Sequence, residues 1–462
     1  MTRFLAIARL TFWEGVRMRV VLVFVLILVV IVLRLPFALH GDDTLSGRVQ
    51  TFLSYSMSAL GVLMSLATVF LSCATLSNEI RNKSLHLVTT KPVSRMEILI
   101  GKWLGVNLLN LSLVALAGVV IYVCAVFISH QPAINDRDRL KLRDVVWTAR
   151  WAARPTPPDF EKAAKEYVDR VAAADPSSVT NKAAAVVEKA KEFRENWLMV
   201  PPGVGRRFEF SNLRPPRRDD TVYQVRFNLR ANPLPRDELV YMRWAILDPD
   251  NDNQVPLATT DTRERVSQRH EFLVNAKNVI RDGKASLGVL NMPWYPNYHS
   301  MVTFEGDDGL ELLYDAGTFE ENFVKNLVLI LFRLAFLSAV GVFFSTFVSF
   351  PVACFCVLSI FLFGMGLPWW LEAIGTNAVV DAAHDPYGPL GPLIRLMLVP
   401  ILTVALPDFI KYDGVSKLID GYYISYGLLA KAGAHTVLYG LLLLLLPGWL
   451  IFRRREIAEV VL

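Results

Sequence analysis

The chain has 462 residues, of which 53% are hydrophobic and 20% charged, and its net charge is +5 at pH 7. Soluble domains are about 45–50% apolar, so this composition argues against a purely soluble protein. The apolar residues concentrate at 1–130 and 323–452, and the residues between them are polar. All four cysteines lie inside the apolar runs, so no disulfide framework or Cys-rich metal site is expected in the polar part. We expect two membrane halves around one water-facing domain.

The first nineteen residues predict an amphipathic helix. On a helical wheel, Phe4 and Phe12 share one side, and Arg17 lies away from it. This pattern is typical of a helix in the cytoplasmic membrane interface, and we assign Trp13 to the same interfacial elbow. The alternative is a polar extension of the first membrane span. Charges interrupt the stretch and no small-x-small site follows the first span, so a cleaved signal is not expected.

Six segments are apolar over about the 20 residues that a helix needs to cross the hydrocarbon core. They are residues 20–39, 51–76, 104–129, 323–347, 351–371 and 435–452. A further apolar segment, residues 391–410, is broken by Arg395, Pro400 and Pro407. Broken backbone at membrane depth is tolerated only where protein or water surrounds it. We therefore expect this segment to re-enter the membrane or to lie on its outer surface.

Cationic residues predict the orientation of the spans. Lys and Arg cluster before the first span, between the second and the third, and after the last, whereas the loop after the first span has only Arg48. Because cytoplasmic loops carry the excess of Lys and Arg, six spans with both termini in the cytoplasm satisfy all of these clusters. The chain is therefore predicted to be a multi-pass protein of the plasma (inner) membrane, with residues 77–103 cytoplasmic and the polar middle outside.

The polar middle divides into a helical part and a β part. Residues 131–205 contain two segments rich in Ala, Glu and Lys, at 159–174 and 178–197, that predict helices. Residues 206–322 contain runs such as VYQVRFNLR, in which apolar and polar residues alternate as in a half-buried strand. Further strands are predicted at 239–247, 270–274, 285–290, 301–304 and 310–314.

Many short strands with regular turns indicate a β-sandwich of jelly-roll type. The predicted fold class is therefore an α-helical membrane bundle of six spans and an elbow helix, with an extracytoplasmic α+β domain. In this division residues 1–130 hold the elbow and three spans, and residues 323–462 hold the other three.

Two groups in the polar middle have only weak functional signatures. Asp248, Asp250 and Asp252 have the spacing of a calcium loop, but the Gly and Glu that such a loop needs are missing, so an acidic turn is favoured. The second group is aromatic and consists of Trp294, Tyr295 and Tyr298. These side chains could stack on a ligand, but packing between strands is the favoured interpretation.

Arg333 lies in the middle of the fourth predicted span. A charge there costs about 2.5–3.5 kcal/mol on insertion scales, so it is expected to face protein or water. It either pairs within the bundle or lines a conduit or dimer interface. No P-loop, zinc-protease motif or serine elbow is found in the sequence, so the chain itself is not predicted to be an enzyme or to bind a cofactor or metal.

The stretch NEIRNKSLHLVTTKPVSRMEILIGKW, residues 78–103, joins the second and third predicted spans. Ser94 with Glu97 three residues later predicts a capping box, and Pro92 fixes the entry to the helix. Arg95 and Lys91 offer charged contacts to a partner or to lipid phosphates. The alternative is a simple cationic loop, but such a loop needs neither this length nor a capping box.

Taken in chain order, the motifs resemble ABC-2 type transporter permeases. The elbow ending in EGVRMR, the stretch 78–103 with its KPVSR and GK motifs, LPDFIKYDG at 406–414 and FRRRE at 452–456 carry the resemblance. The copper-enzyme-maturation and gliding-motility branch is the most similar. Residues 131–322 depart from the family, which often has a short loop there, so the substrate cannot be carried over.

The resemblance implies a permease subunit that pairs with a second copy and binds a separate ABC ATPase chain, which holds the ATP. The stretch 78–103 would be the coupling helix, and substrate export or mechanical signalling would follow ATP hydrolysis. An outer partner would bind through residues 131–322, and no nucleic acid is expected. The alternative is a membrane-anchored receptor or scaffold whose outer β-domain binds a ligand or partner protein. The resemblance assigns contact with the ATPase to Glu79, Arg81, Lys91, Pro92, Val93, Ser94, Arg95, Glu97 and Lys102.

Overall fold

The structure is a computed structural model that forms two compact units. One contains Met1–Trp147 and Thr318–Leu462, and the other contains Thr148–Gly317. The residues described are 3–38, 44–81, 93–174, 182–215, 217, 222–248, 256–274, 279–295, 298–306, 308–374, 396–397, 399–400, 408–438, 440–442 and 446–454.

The first unit is helical. Its helices are α1 (Arg3–Arg17), α2 (Arg19–Ala38), α3 (Leu45–Arg81), α4 (Arg95–Ser129), α5 (Asp136–Lys141), α8 (Phe319–Ser345), α9 (Phe350–Met365), α10 (Leu367–Ala373), α11 (Gly414–Ile419), α12 (Tyr426–Gly433) and α13 (Leu446–Arg454), with π-helical turns at Leu142–Val146 and Ala434–Leu438. Helices α6 (Phe160–Ala174) and α7 (Lys182–Glu195) belong to the second unit.

Helix α3 is the centre of the first unit, since it packs against α2, α4, α8 and α9. Three of its buried hydroxyls are satisfied within the helix, because Ser56, Ser65 and Thr68 each donate to the carbonyl four residues earlier. Small residues allow neighbouring helices to approach closely. A Cβ atom at Gly341 of α8 would overlap Ser72 Oγ of α3. The bundle therefore accepts hydroxyl groups in its core but no added side-chain volume at this crossing.

The N-terminus of α3 is capped by a carboxylate from another helix. Asp138 of α5 accepts hydrogen bonds from the backbone N–H groups of Leu45 at 2.6 Å and Ser46 at 3.0 Å. These N–H groups have no partner inside the helix, and the helix dipole favours a negative charge beside them. Burial acts to raise the pKa of Asp138, but these hydrogen bonds outweigh it and hold the pKa below its ordinary value.

Four helices among the described residues, α2, α3, α4 and α8, are long and apolar enough to cross a membrane. Helices α9 and α10 qualify as a fifth crossing only if they count as one span, bent by 64°. These five correspond to the first five predicted spans, and the multi-pass character is confirmed. The sixth predicted span, 435–452, includes residues outside the described part and stays a prediction. Most of the broken segment 391–410 also lies outside it.

The second unit is rich in β-strands. Six strands form one sheet in the order β1-β10-β4-β9-β2, with β7 also paired to β4, and four form another in the order β3-β8-β5-β6. The strands are β1 (Thr148–Ala153), β2 (Met199–Val200), β3 (Gly205–Phe210), β4 (Tyr223–Asn232), β5 (Leu239–Leu247), β6 (Ala258–Arg265), β7 (Arg269–Val274), β8 (Ala285–Asn291), β9 (Met301–Phe304) and β10 (Leu310–Thr318).

Apolar side chains from both sheets share one core. The ring of Phe227 in β4 lies 4.6 Å from that of Trp244 in β5, and Phe304 in β9 lies 5.7 Å from Phe208 in β3. This core follows from the alternation of apolar and polar residues along the strands. The prediction of a half-buried strand is wrong for the first part of β4, since Gln224 and Arg226 on its polar side are 1% and 4% exposed. A separate β-rich domain is thus confirmed, whereas the jelly-roll sandwich stays a prediction.

The structure divides the chain at residues 148 and 317, where the sequence suggested 131 and 322. Residues 136–146 fall in the helical unit because Leu142 and Val146 share a core with Leu45. The sequence does not predict β1, β2, β3 or β6. Strand β6, with the sequence ATTDTRER, lies at a sheet edge and has almost no apolar residue, so its alternation of burial carries little hydrophobic signal.

Candidate functional site

Helices α1, α3, α4 and α13 meet at one end of the helical unit, which is the predicted cytoplasmic end. The buried side chains that join α3, α4 and α13 there include Leu76, Leu99 and Phe452. Charged side chains gather around these contacts. We use the name α4 start cluster for Glu14, Glu79, Arg95, Glu97 and Lys102.

A capping box fixes the first turn of α4, as the sequence predicts. The backbone N–H of Glu97 donates to Ser94 Oγ at 3.2 Å, and the backbone N–H of Ser94 donates to the Glu97 carboxylate at 2.7 Å. Both donors would otherwise lack an intrahelical partner. The start of α4 is therefore a fixed point and not a frayed end.

Arg95 ties the start of α4 to the end of α13. Its guanidinium donates to the backbone carbonyl oxygens of Phe452 and Arg453, the latter at 2.9 Å. The guanidinium carbon also lies 5.4 Å from the centre of the Phe452 ring. The last carbonyls of a helix lack intrahelical donors and carry the negative end of its dipole. Arg95 supplies both hydrogen-bond donors and positive charge at this point.

Lys102 and Glu79 form an ion pair inside the unit. Lys102 is only 2% exposed, its Nζ lies 2.8 Å from Glu79 Oε1, and it donates to the carbonyl oxygen of Thr75 at 3.1 Å. A buried ammonium is tolerated only with such partners. Glu14 of α1 is close enough to interact electrostatically with both Lys102 and Glu79. Its pKa is raised, chiefly by loss of solvent, while Lys102 acts to lower the pKa and Glu79 to raise it.

Two glycines on α4 allow α1 to lie directly on its backbone. A Cβ atom at Gly101 would lie 2.8 Å from Ile7 Cβ, and one at Gly105 would lie 2.5 Å from the carbonyl oxygen of Ala8. Neither distance is compatible with a side chain. The spacing is that of the small-xxx-small motif, by which helices approach closely in membranes. On α1 the residues turned inward are Ala8, Thr11 and Gly15.

The four predicted elbow residues lie on or beside this docked helix. Phe4 and Phe12 are half-buried, whereas Arg17 is exposed and Trp13 is 50% exposed. A helix with one docked face and an exposed Trp is typical of the membrane interface.

The other residues that the resemblance assigns to ATPase contact are only partly described. Lys91 and Pro92 lie outside the described residues. Ser94 is exposed and Val93 is half-exposed. Arg81 is exposed at the end of α3, with its Nη2 3.5 Å from Asn78 Oδ1. The structure therefore brings Glu79, Arg95, Glu97 and Lys102 together at the start of α4. Two other residues assigned to ATPase contact, Ser94 and Arg81, are exposed.

Arg333 lies in α8 beside a glycine of α3. A Cβ atom at Gly61 would lie 2.5 Å from Arg333 Nη2, so this glycine makes room for the guanidinium. Asp413, just before α11, is close enough to act on Arg333 electrostatically. Arg333 Nε is buried, and no hydrogen-bond partner for it is found within the described part of the chain.

The N-terminal half of α8 carries a second polar group, which holds the segment between α11 and α12. Asn322 accepts from the backbone N–H of Ile424 at 2.7 Å and donates to the carbonyl oxygen of Tyr422 at 2.8 Å. Lys325, 4% exposed, pairs with Glu321 and lies 3.9 Å and 4.0 Å from two tyrosine rings. Those rings belong to Tyr423 and Tyr426.

The weak calcium signature has another explanation at the one position that is described. Asp248 accepts from Arg281 Nη1 at 2.7 Å, and the other two aspartates lie outside the described residues. Within the described ranges, no group of three His, Cys, Asp or Glu side chains is placed to hold a metal ion.

The aromatic group of the second unit packs on itself. The rings of Trp294 and Tyr295 are 4.9 Å apart, and those of Tyr295 and Tyr298 are 5.3 Å apart. Tyr298 is 4% exposed, and its hydroxyl donates to Asn291 Oδ1 at 3.1 Å. Burial raises the pKa of Tyr298 to about 12. At least Tyr298 is therefore a packing residue.

Sequence reasoning misses two features of the α4 start. The pair Gly101 and Gly105 is visible in the sequence as a small-xxx-small motif. It is easily overlooked, because Lys102 after Gly101 suggests a P-loop, whose full motif the sequence does not contain. The acceptors of Arg95 have no signal at all, because they are backbone carbonyls more than 350 positions away.

Residues 5–136 match the family model described as ABC-2 family transporter protein. This region holds the whole α4 start cluster, together with α1 to α4 except for the first residues of α1. The match confirms the resemblance to ABC-2 type permeases, whereas the narrower branch stays a prediction. It covers less than a third of the 462 residues and none of the second unit. No curated protein matches the chain.

Proposed function

We infer that this chain is the permease subunit of an ATP-driven ABC-2 type transporter. A separate ATPase chain would hydrolyse ATP on the cytoplasmic side and drive substrate export or mechanical signalling across the membrane. The observation that carries this proposal is the family match over residues 5–136. ABC-2 permeases normally work with an ABC ATPase and are not generally enzymes themselves.

The proposal includes finer features that extend the sequence predictions. The chain would cross the plasma membrane six times with both termini in the cytoplasm and would pair with a second copy. The second unit would be an extracytoplasmic β-sandwich with two added helices. The excess of Lys and Arg at the α4 end supports this orientation.

The contacts of the α4 start support a coupling role. Residues 78–103 would receive the movement of the ATPase, and the capping box would keep the first turn of α4 intact during it. Arg95 would pass the movement to α13, the pair Lys102–Glu79 would pass it to α3, and the two glycines would pass it to α1. A shift of this one helix start then moves three helices together.

The burial of the cluster divides the assigned residues into two roles. Lys102 is almost wholly buried, so in this proposal it positions α4 against α3 and does not touch the ATPase. Exposed Ser94 and Arg81, with Lys91 and Pro92, would contact the partner.

The proposal is tested by purifying the tagged full-length chain from its own membranes in mild detergent. We expect an ABC ATPase to co-purify, and deletion of residues 91–95 to abolish this while the chain stays in the membrane. The matched control is Arg139→Gln, a charge loss at an exposed position on α5 that should leave co-purification unchanged. A purification that yields every partner but no ATPase would contradict the proposal.

A membrane-anchored receptor or scaffold is the second candidate function. The observation that favours it is the size of the second unit, which spans Thr148–Gly317. In that case the deletion of residues 91–95 would have no effect on partners, and the proteins bound would depend on residues 148–317 instead.

A further inference from the structure

The second unit contains a cavity of about 650 Å³ beside strand β3. Sites for small molecules are typically about 300–1,000 Å³ in volume. Strand β3 lies at the edge of its sheet, and the segment 156–158 forms the neighbouring wall. The cavity is formed within this unit alone, so its properties do not depend on the membrane part.

Arg206 provides a fixed positive charge in the wall of the cavity. Its Nη1 donates to three backbone carbonyl oxygens, those of Asn196 at 2.5 Å, Trp197 at 2.6 Å and Met199 at 2.7 Å. These bonds hold one edge of the guanidinium in place. Because a guanidinium has five N–H donors in a rigid fork, an anchored Arg206 keeps a defined direction.

The remaining charged residues of the wall leave it positive. Arg207 and Lys284 add two cations, and Glu209 is the one carboxylate among the lining residues that the structure describes. Arg207 Nε lies 3.7 Å from Glu209 Oε1, and the Glu209 side chain is 71% exposed. The cavity therefore favours an anion, but a carboxylate at its rim disfavours a ligand of high negative charge.

A buried hydroxyl also lines the cavity. Ser286 is 2% exposed, and its Oγ has no hydrogen-bond partner among the residues that the structure describes. Buried polar groups are nearly always satisfied. An unsatisfied hydroxyl in a cavity wall therefore points to a bound polar group.

The apolar part of the wall is formed by a ring and two prolines. Trp197 is half-buried, and its ring meets Phe160 edge-on at 6.0 Å. Pro157 and Pro158 are exposed on the neighbouring segment. Flat apolar surfaces of this kind pack against the C–H face of a ring.

We propose that this cavity binds a small hydroxylated organic anion of the acidic-sugar class. The single carboxylate of such a ligand would pair with Arg207 and Lys284. Its hydroxyl groups would meet Ser286 and the Glu209 carboxylate, and the C–H face of its ring would pack on Trp197. A doubly charged phosphate fits less well, because Glu209 would repel it and Trp197 would have no ring to contact.

The probe for this site is cellobiouronic acid, a disaccharide with one carboxylate, compared with cellobiose, its neutral counterpart. Binding to the full-length chain in lipid nanodiscs is measured by titration calorimetry at low and at high salt. We expect the acidic sugar to bind at least tenfold more tightly than the neutral one. Arg207→Gln and Lys284→Gln should each weaken binding of the acidic sugar at least tenfold, and Ser286→Ala should weaken it severalfold.

The matched control is Arg230→Gln, which removes an exposed cation of the same unit that does not line the cavity. It should bind the acidic sugar as the wild type does, and the thermal midpoint of every variant is measured to establish that it folds. Equal binding of both sugars, competition by inorganic phosphate at similar concentration, or unchanged binding in both cation variants would overturn the proposal. Because no ATPase takes part in this measurement, its failure would leave the permease proposal standing.

Discussion

Lys102 is a charged side chain that is almost wholly buried near the predicted membrane surface. Replacing it by Met would leave the half-buried Glu79 without its ammonium and close to Glu14. Removing one partner of a buried ion pair typically destabilises a protein by about 3–5 kcal/mol. We expect Lys102→Met to lower the thermal midpoint of the purified chain strongly, and Lys102→Met with Glu79→Leu to recover part of the loss.

The matched control for this prediction is Lys431→Met, at an exposed position on α12. Surface changes of this kind usually stay within about 0.5 kcal/mol. A Lys102→Met chain as stable as the Lys431→Met chain would show that the ion pair contributes nothing to stability.

Asp138 gives a prediction with a pH dependence. Its pKa is lowered in the folded state, so its stabilising effect is present above the unfolded pKa and is lost as the pH falls through the folded pKa. Hydrogen bonds to a charged group contribute about 1.5–3 kcal/mol, and Asp138→Asn should lose much of this at pH 7. Thermal midpoints of both chains between pH 7 and pH 3 should converge at the acid end. A difference that stays constant over this range would mean that the charge of Asp138 has no part in the cap.

At the residue scale, local contacts could be predicted from the sequence, whereas contacts between helices could not. The capping box of Ser94 and Glu97 was predictable because both partners lie within one turn of chain. The burial of Lys102 was not, because its partner stands on a different helix 23 positions earlier and only the packing of α3 on α4 brings them together.

At the scale of elements, the docking of α1 on α4 depends on the absence of a side chain. Gly105→Ala places a Cβ atom 2.5 Å from the carbonyl oxygen of Ala8 and 2.7 Å from Thr11 Cβ, so α1 must move away. We expect this single methyl group to lower the thermal midpoint and to expose α1 to limited proteolysis. The same substitution in a helix normally stabilises by up to about 1 kcal/mol.

Gly427→Ala on α12 is the matched control, since the nearest atom to its new Cβ would be 3.9 Å away. It should leave the thermal midpoint unchanged or raise it slightly. If the two alanine variants behaved alike, the close approach of α1 and α4 would not be a source of stability.

Most elements with a regular apolar pattern were predictable, and those without one were not. Strands β5 and β9 begin and end where the alternation of apolar residues predicts. Strand β6 was not predicted, because it is an edge strand and has almost no apolar residues to give an alternating pattern. Both ends of α3 and the start of α4 lie beyond the predicted spans because polar turns continue a helix outside the hydrocarbon core at no penalty.

At the scale of the whole molecule, the packing of α11 predicts the side on which its neighbourhood lies. Val415 and Leu418 share a core with Leu45 and Phe319, at the end of the bundle opposite to the α4 start. A cysteine at Lys411 should therefore be labelled from outside by a membrane-impermeant maleimide, and one at Arg81 only after permeabilisation. Both positions are exposed, and both substitutions are made in a chain that lacks its four native cysteines.

Labelling of the Lys411→Cys chain only after permeabilisation would contradict the six-span topology. Reversal of both results would instead mean that the whole chain is inserted the other way round. The number of spans was only partly predictable from sequence, because hydropathy cannot tell a straight crossing from a pair of helices bent by 64°.

The acceptors of Arg95 are main-chain oxygens, and this has a consequence for how the contact tolerates mutation. No side-chain replacement at positions 452 or 453 removes a carbonyl group, so these two hydrogen bonds do not depend on which amino acids stand there, whereas the ring contact requires Phe452. An inserted or deleted residue within α13 rotates the helix by about 100° and carries both oxygens out of reach. The hydrogen bonds between α4 and α13 therefore depend on the length of α13, and only the ring contact depends on the amino acid at position 452.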